Sequence, residues 1–328
     1  MMEVELFDNK PKVKNRKLNI LPDNPEHAAA DTPVGLGRFP SWLHRKLPKG
    51  SELAETGQIL RRNQLHTVCE EAKCPNLFEC WSKKTATFLA LGKTCTRNCG
   101  FCDIDFSKSP KPPEEDEPAR IAQSVLELGL KHVVITMVAR DDLADGGAAH
   151  LVKIIEGLRK QTPEATIEVL TSDFHGNPDA LEMVLEAQPE IFNHNIETVR
   201  ELTPRVRHKA TYDQTLRVLS QASRSKRLSR MLVKSGLMVG LGETEQQVKE
   251  TIADLYQVGC DILTIGQYLQ SGKNKLLVKA FIPPNQFKIY EEYGYSLGVK
   301  HIYAAPFVRS SYNAQAVLQQ VKIKDNHG

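Results

Sequence analysis

The sequence predicts an α/β fold: an incomplete (β/α)6-type TIM barrel with added segments at both ends. Two observations lead there. From Thr85 onward, short β-rich apolar runs at residues 86–91, 132–137, 166–170, 191–196, 231–239 and 261–265 alternate with segments whose apolar residues recur at helical spacing. Strands alternating with helices through right-handed crossovers make a parallel sheet or barrel. The second observation is a loop of three cysteines directly after the first run. A barrel of this kind keeps its chemistry at the C-terminal ends of its strands. A doubly wound sheet would instead want a glycine-rich phosphate turn there.

Taken in order, residues 1–38 are polar, proline-containing and aperiodic, and read as a flexible N-terminal extension. Phe39-Pro-Ser-Trp42-Leu43 begins a segment able to pack, and a helix is expected over residues 52–62. It delivers the chain into a cysteine-bearing stretch, so residues 39–84 stand as a region of their own before the barrel, residues 85–283. Within the barrel, Ile121, Val125 and Leu128 precede Gly129, and Val248, Ile252 and Leu255 precede Gly259, each set on one helical face. Thr244 followed three residues later by Gln247 matches a capping box. The glycines of Gly240-Leu-Gly242 read as a tight strand-to-helix turn. Past Tyr268 the pattern weakens, then resumes as a helix over 285–297 and a short run at 301–304. Residues 284–328 form a C-terminal segment carrying Pro306-Phe-Val-Arg309-Ser310-Ser311-Tyr312.

With 328 residues, 41% of them hydrophobic and 25% charged, the chain can bury one large core. No run approaches the roughly 20 apolar residues that cross a bilayer. The N-terminus has no hydrophobic segment behind its charges, so no membrane association and a cytoplasmic location are expected. Seven cysteines are an odd number, and six of them lie between Cys69 and Cys102. That crowding suits metal binding in a reducing compartment better than a disulfide framework. Cys260, in an apolar setting, reads as a core thiol. The net charge of +3, with small basic groups at 205–209, 224–227 and 273–275, is too weak to argue for nucleic acid. These groups read as solvated faces, one of which could meet an acidic protein partner.

Cys95, Cys99 and Cys102 are spaced x3 then x2. Ferredoxins and zinc ribbons space their cysteines differently, and a structural zinc site is closed by four protein ligands. Three thiolates can hold a 4Fe-4S cluster and leave one iron for a ligand that is not protein. The triplet, with Phe101 before its last cysteine, resembles the signature of the radical S-adenosylmethionine (SAM) superfamily, in which SAM chelates the open iron. A second set, Cys69-x4-Cys74-x5-Cys80, taken alone also serves zinc with a distant fourth ligand, or three core thiols. Beside the first triplet, a second iron-sulfur cluster is the better-supported reading.

Val68-Cys-Glu-Glu-Ala-Lys-Cys-Pro-Asn-Leu-Phe-Glu-Cys-Trp81, followed by Ala86-Thr-Phe-Leu-Ala-Leu-Gly-Lys-Thr-Cys-Thr-Arg-Asn-Cys-Gly-Phe-Cys102, resembles the lipoyl synthases of that superfamily. The likeness continues in Arg140-Asp-Asp-Leu-Ala-Asp-Gly-Gly147, Asn193-His-Asn-Ile-Glu-Thr198, the glycine-rich stretch after Lys234, and Arg309-Ser-Ser-Tyr312. The resemblance implies two 4Fe-4S clusters and SAM as cofactors. It implies that Ser311 supplies the fourth ligand of the auxiliary cluster on Cys69, Cys74 and Cys80, and that Arg309 lies near it. On the tail alone, Ser310 and Ser311 read better as capping or turning the C-terminal chain, with Arg309 an ordinary surface charge. An octanoyl chain on a lysine of a lipoyl-carrier domain would be the substrate, its unactivated carbons 6 and 8 attacked through a SAM-derived radical, with sulfur drawn from the auxiliary cluster.

The implied partners are acyltransferase subunits of 2-oxoacid dehydrogenases, the glycine cleavage H protein, a ferredoxin- or flavodoxin-type reductant and an iron-sulfur carrier. Thr136, Arg140, Asn195, Glu197 and Lys234, at barrel-strand ends, are the candidates to bind SAM, although polar residues also cap such strands for structural reasons. Ser172 stands where proline is common in the family, and residues 137–139 and 270–277 also depart from its usual strings, which touches cofactor contacts but no cluster ligand. A methylthiotransferase usually adds a nucleic-acid-binding domain, which the residues after Tyr312 do not provide. An iron-sulfur electron carrier is the alternative from another class.

Overall fold

Parallel pairing organises the chain around one end of one sheet. The computed structural model describes residues 39–44, 52–225 and 231–311, all of which fall within one compact unit, residues 34–328. The extension expected over 1–38 and Tyr312 lie outside the described residues. The helix α1 (Glu52–Arg62), the strand β1 (His66–Thr67) and the short helices α2 (Val68–Glu71) and α3 (Leu77–Ser82) lead into β2 (Thr87–Ala90). Two short strands, β3 (Thr94–Cys95) and β4 (Asp105–Phe106), frame the first cysteine loop. Then come α4 (Glu117–Leu128), β5 (His132–Met137), α5 (Ala148–Gln161), β6 (Thr166–Leu170), α6 (Pro178–Glu186) and β7 (Ile191–Asn193). After them follow α7 (Thr203–Val206), α8 (Tyr212–Ser225), β8 (Leu232–Val239), α9 (Glu245–Gln257), β9 (Ile262–Gln267), α10 (Pro284–Leu297) and β10 (His301–Ala304).

Eight strands pair in the order β1-β2-β5-β6-β7-β8-β9-β10, all parallel except β1 against β2. Among the described residues the order has two open ends, so the barrel is incomplete, as the sequence predicts. The strands β2, β5 and β9 are buried at every position. A parallel sheet covered by helices requires that, which is why these runs read as continuously apolar. The helices bury one stripe each: Ile121, Ala122, Val125 and Leu128 of α4, and Val248, Ile252 and Leu255 of α9. Each such Ile, Val or Leu side chain contributes about 1.5–3 kcal/mol of burial. The capping box holds as expected, with Thr244 accepting from the Gln247 amide and Gln247 from the Thr244 amide. Cys260 is buried in the main core.

The run at 301–304 becomes a seventh parallel strand, so the sheet extends past six units. The expected strand over 191–196 ends at Asn193. There the hydroxyl of Ser235 accepts from the Ile196 amide at 3.1 Å, and Glu197 takes a left-handed φ of 68° before bridging to Leu237. Leaving the ladder turns residues 194–197 into the mouth of the barrel. Because the strands are parallel, the segments after β2, β5, β6, β7, β8, β9 and β10 all emerge at the same end.

Candidate functional site

The first cysteine loop is held at its root and its middle. Leu91 leaves β2 with a φ of 68°, and its amide and that of Gly92 donate to the Glu117 carboxylate at 2.9 and 3.3 Å. His150 Nε2 meets the same carboxylate at 2.7 Å. From beyond β5, Arg140 donates through Nη1 to the Leu91 carbonyl at 3.4 Å, while its Nε and Nη2 bind Asp142 at 2.8 and 2.7 Å. Arg140 is 1% exposed. The structure therefore engages this expected SAM contact as a bolt on the loop.

Within the loop, Thr96 donates to the Ala139 carbonyl through both its amide (3.0 Å) and its hydroxyl (2.9 Å), and the hydroxyl accepts from the Asp141 amide at 3.0 Å. Arg97, between two of the cysteines, is buried. Its guanidinium forks onto Asp141 at 2.7–3.1 Å and reaches Asp173 at 2.6 Å. Burial acts to raise the two carboxyls, but the charge and hydrogen bonds of Arg97 prevail and hold both below the usual range. Sequence reading missed this arrangement. Its partners lie 44 and 76 residues away, and the available signal was an arginine inside the triplet with an Asp pair after the next strand.

The thiols of each set neighbour one another. Burial, reinforced by each other's charge, pushes Cys69 to about 11 and Cys80 to about 12 in one set. In the other, burial pushes Cys99 to about 11, against the pull of Arg207, and Cys102 to about 12. Such thiols keep their protons until a metal displaces them. Among the described residues, no three His, Cys, Asp or Glu side chains are arranged to hold a single metal ion. A cubane spreads its thiolates over separate irons, and sets of three soft thiols that neighbour one another fit that need better than they fit zinc.

The second set sits on α2, the turn after it and α3. Thr67 caps α2 through the Glu70 amide at 3.3 Å, and the Cys74 amide returns to the Cys69 carbonyl at 3.0 Å. Between Cys74 and Cys80, Asn76 donates its side-chain amide to the Phe307 carbonyl at 2.8 Å, joining this loop to the C-terminal tail. Ser311 follows Phe307 by four residues and is half-buried. Arg309 donates through Nη1 to the carbonyls of Pro306 (3.3 Å) and Val308 (2.7 Å), folding back on the tail itself.

Of the other expected SAM contacts, Asn195 and Glu197 come together in the mouth, Asn195 Nδ2 donating to Glu197 Oε1 at 3.1 Å. Burial pushes the Glu197 carboxyl up, against the opposing charge of Arg207. Arg207 donates to the Asn195 carbonyl at 2.6 Å and to Thr215 at 3.2 Å, with His194 Nε2 at 3.4 Å. His194 Nδ1 faces the Thr171 carbonyl at 2.9 Å, so that nitrogen carries the proton. Burial, followed by the charge of Arg207, holds the ring down at about 3, neutral. Thr136 is buried at the fifth position of β5, near the mouth.

Lys234 is different. It is the third residue of β8, towards the opposite end, and its ammonium pairs with Glu168 at 2.8 and 3.0 Å, both side chains fully buried. The expectation that it sits at a strand C-terminal end is corrected: it is third of eight residues in β8, and its buried ammonium is taken up by Glu168.

A model of the radical SAM superfamily matches residues 89–255, and one of the N-terminal domain of lipoyl synthase of that family matches residues 12–74. A lipoyl synthase from Protochlamydia amoebophila (strain UWE25) is 66% identical over 320 residues, covering 98% of this chain and 98% of its own. One from Chlamydia trachomatis serovar D is 54% identical over 288 residues, 88% of this chain and 92% of its own. Among solved structures, SuiB of Streptococcus suis bound to S-adenosylmethionine shares the fold at a TM-score of 0.53 and 11% identity, over 70% of this chain and 54% of its own. The FeFe-hydrogenase maturase HydG of Carboxydothermus hydrogenoformans does so at 0.51 and 15%, over 84% and 78%.

Proposed function

The chain belongs to the lipoyl synthase family of radical SAM enzymes, and from that membership we propose how its two cysteine sets divide one reaction. The family inserts sulfur, and its substrates are lipoyl-carrier proteins. The finer reading takes an octanoyl-lysine on acyltransferase subunits of 2-oxoacid dehydrogenases or on the glycine cleavage H protein. A ferredoxin- or flavodoxin-type protein is the reductant, and an iron-sulfur carrier rebuilds what is spent. When bound, two 4Fe-4S clusters and SAM supply a radical able to take hydrogen from carbons 6 and 8, and the sulfur that replaces it.

Cys95, Cys99 and Cys102 hold the SAM-side cluster, on a loop that Glu117, Arg140, Thr96 and Arg97 keep from shifting. Asn195, Glu197 and Thr136 bind SAM, Asn195 being held in place through its carbonyl by Arg207. Cys69, Cys74, Cys80 and Ser311 hold the auxiliary cluster. A hard oxygen ligand is the poorer match for iron among soft thiolates and suits an iron that must leave. Arg309 orders the tail that carries Ser311. Residues 39–84 thus serve the auxiliary cluster, 85–283 the radical step, and 284–328 close the site. The observation that supports this division is the hydrogen bond from Asn76 to Phe307, which ties the second thiol set to the serine tail across 231 residues.

Anaerobically reconstituted chain, incubated with an octanoyl-lysine peptide, SAM and reductant, should yield a product carrying two added sulfurs. Reductive SAM cleavage with no sulfur in the peptide would overturn the reading. Among the described residues no helix is long and apolar enough to cross a membrane. The cytoplasmic setting proposed for this chemistry rests on the reduced thiols it needs.

A further inference from the structure

The tail that carries Ser311 is fixed residue by residue over the end of the sheet. The Ala305 amide donates to the Ile265 carbonyl at 3.1 Å, and the Gln267 amide to the Pro306 carbonyl at 3.1 Å. A Cβ on Gly266 would lie 2.0 Å from the Val308 carbonyl oxygen, so the tail can descend there only over a glycine. Ser310 Oγ then donates to Asn195 Oδ1 at 2.9 Å, inside the mouth. These bonds tie the tail to the barrel. None of them reaches the auxiliary cysteines.

Asn76 does. It lies two residues after Cys74 and four before Cys80, is 1% exposed, and occupies the N-cap position of α3. Asparagine is among the favoured N-cap residues because its side-chain oxygen accepts from the first amides of a helix. Here the side chain makes no cap hydrogen bond. Its amide instead donates to the carbonyl of Phe307 at 2.8 Å. An unused cap is a cost to α3, and the bond gained in exchange crosses from the thiol loop to the tail.

We propose that Asn76 is the positioning residue that delivers Ser311 to the auxiliary thiols, registering the tail against the Cys74–Cys80 loop through the Phe307 carbonyl; this rests on Ser311 being the fourth ligand. The role requires a donor at the end of a short side chain. Aspartate has the same shape and would set a carboxylate oxygen against that carbonyl, and it would also be a better N-cap, with its acidic charge at the helix N-terminus. Asn76→Asp therefore favours α3 and breaks the link to the tail.

The test uses the full chain reconstituted with ⁵⁷Fe and compares the wild type, Asn76→Asp and Ser311→Ala by Mössbauer spectroscopy, iron content and product yield. In Asn76→Asp the SAM-bound cluster keeps its electron paramagnetic resonance signature. The auxiliary cluster loses the signal of its differently ligated iron, as in Ser311→Ala. The sulfur-containing product falls about tenfold, the lower end of what losing a partner that orients a metal ligand costs. A wild-type auxiliary spectrum and yield in Asn76→Asp, with Ser311→Ala perturbed, overturns the role of Asn76 alone. A wild-type auxiliary spectrum in Ser311→Ala overturns the serine-ligand reading beneath it. If Asn76→Asp does not fold, Gly266→Ala decides. It pushes the tail off the sheet with Asn76 intact and should show the same auxiliary loss, together with a change on the SAM side because Ser310 leaves Asn195 with the tail, and an unaltered auxiliary spectrum there overturns the registered tail.

Discussion

Replacing Lys234 by methionine separates a SAM contact from a structural ion pair. Glu168 accepts from Lys234 at 2.8 and 3.0 Å and from Asn193 at 2.8 Å, with His132 Nε2 at 3.6 Å, and both Glu168 and Lys234 have no solvent exposure. Removing one partner strands a carboxylate in the interior, which costs about 3–5 kcal/mol. That is a large part of the roughly 5–15 kcal/mol that keeps a protein folded, and corresponds to a melting temperature lower by about 10 °C.

The pH dependence should invert. In the wild type, burial acts to raise Glu168, but Lys234 and His132 overcome it and bring the carboxyl from 4.5 to about 2. A depressed carboxyl contributes stability that is complete above its unfolded pKa and is lost as pH falls towards the folded one, so this term fades between about 4.5 and about 2. Without Lys234, burial raises the same carboxyl. The variant is then penalised most at neutral pH and gains relative to the wild type as pH falls towards the unfolded value of 4.5. The double variant Lys234→Met with Glu168→Gln removes the charge and should recover most of the loss, together with SAM cleavage. Anaerobic circular-dichroism melts across pH, with 5'-deoxyadenosine yield, read both. A single variant that melts like the wild type yet binds SAM poorly would refute the structural assignment.

Arg97→Gln removes the cation that Asp141 and Asp173 share, leaving Asp141 the more distant Lys209 at 3.8 Å, and Arg97→Lys cannot fork onto both. In each variant iron should fall from about eight to about four per chain, with SAM cleavage lost, as measured by iron assay after reconstitution. Full iron and turnover in Arg97→Gln would show that the loop does not depend on it. Cys99→Ala should abolish SAM cleavage. Cys74→Ala should keep some cleavage while giving no sulfur-containing product by mass spectrometry, and normal product from that variant would contradict the auxiliary assignment.

The parts of the fold legible in the sequence were those governed by local pattern. The helix expected over 52–62 is α1, and the capping box at Thr244 forms because both of its bonds lie within four residues. The buried strands read correctly because a parallel sheet demands apolar runs. Where a side chain intervenes from afar the pattern misled: β7 ends at Asn193, and the Ser235 hydroxyl bonds the His194 carbonyl and the Ile196 amide, 41 and 39 residues away in sequence. β1 is two residues long and leaves no period to find. Cysteine spacing singled out both thiol sets, yet the side chains that anchor their loops do so over long separations, Arg97 through Asp173 and Asn76 through Phe307. Asn76 is the instructive case, since its local sequence promises a helix cap and its tertiary setting diverts it. Lys234 shows the converse: the apolar run over 231–239 does not tell where along the strand its lysine falls, and the structure places it third of eight residues, paired with Glu168.

The division of labour between the two cysteine sets stands or falls on the origin of the sulfur. Chain rebuilt with isotopically heavy sulfide, freed of excess label and allowed one turnover on an octanoyl-lysine peptide, should give a product whose mass carries the heavy isotope at both inserted sulfurs. A product of natural isotopic mass, formed while the heavy label stays with the protein, would contradict it.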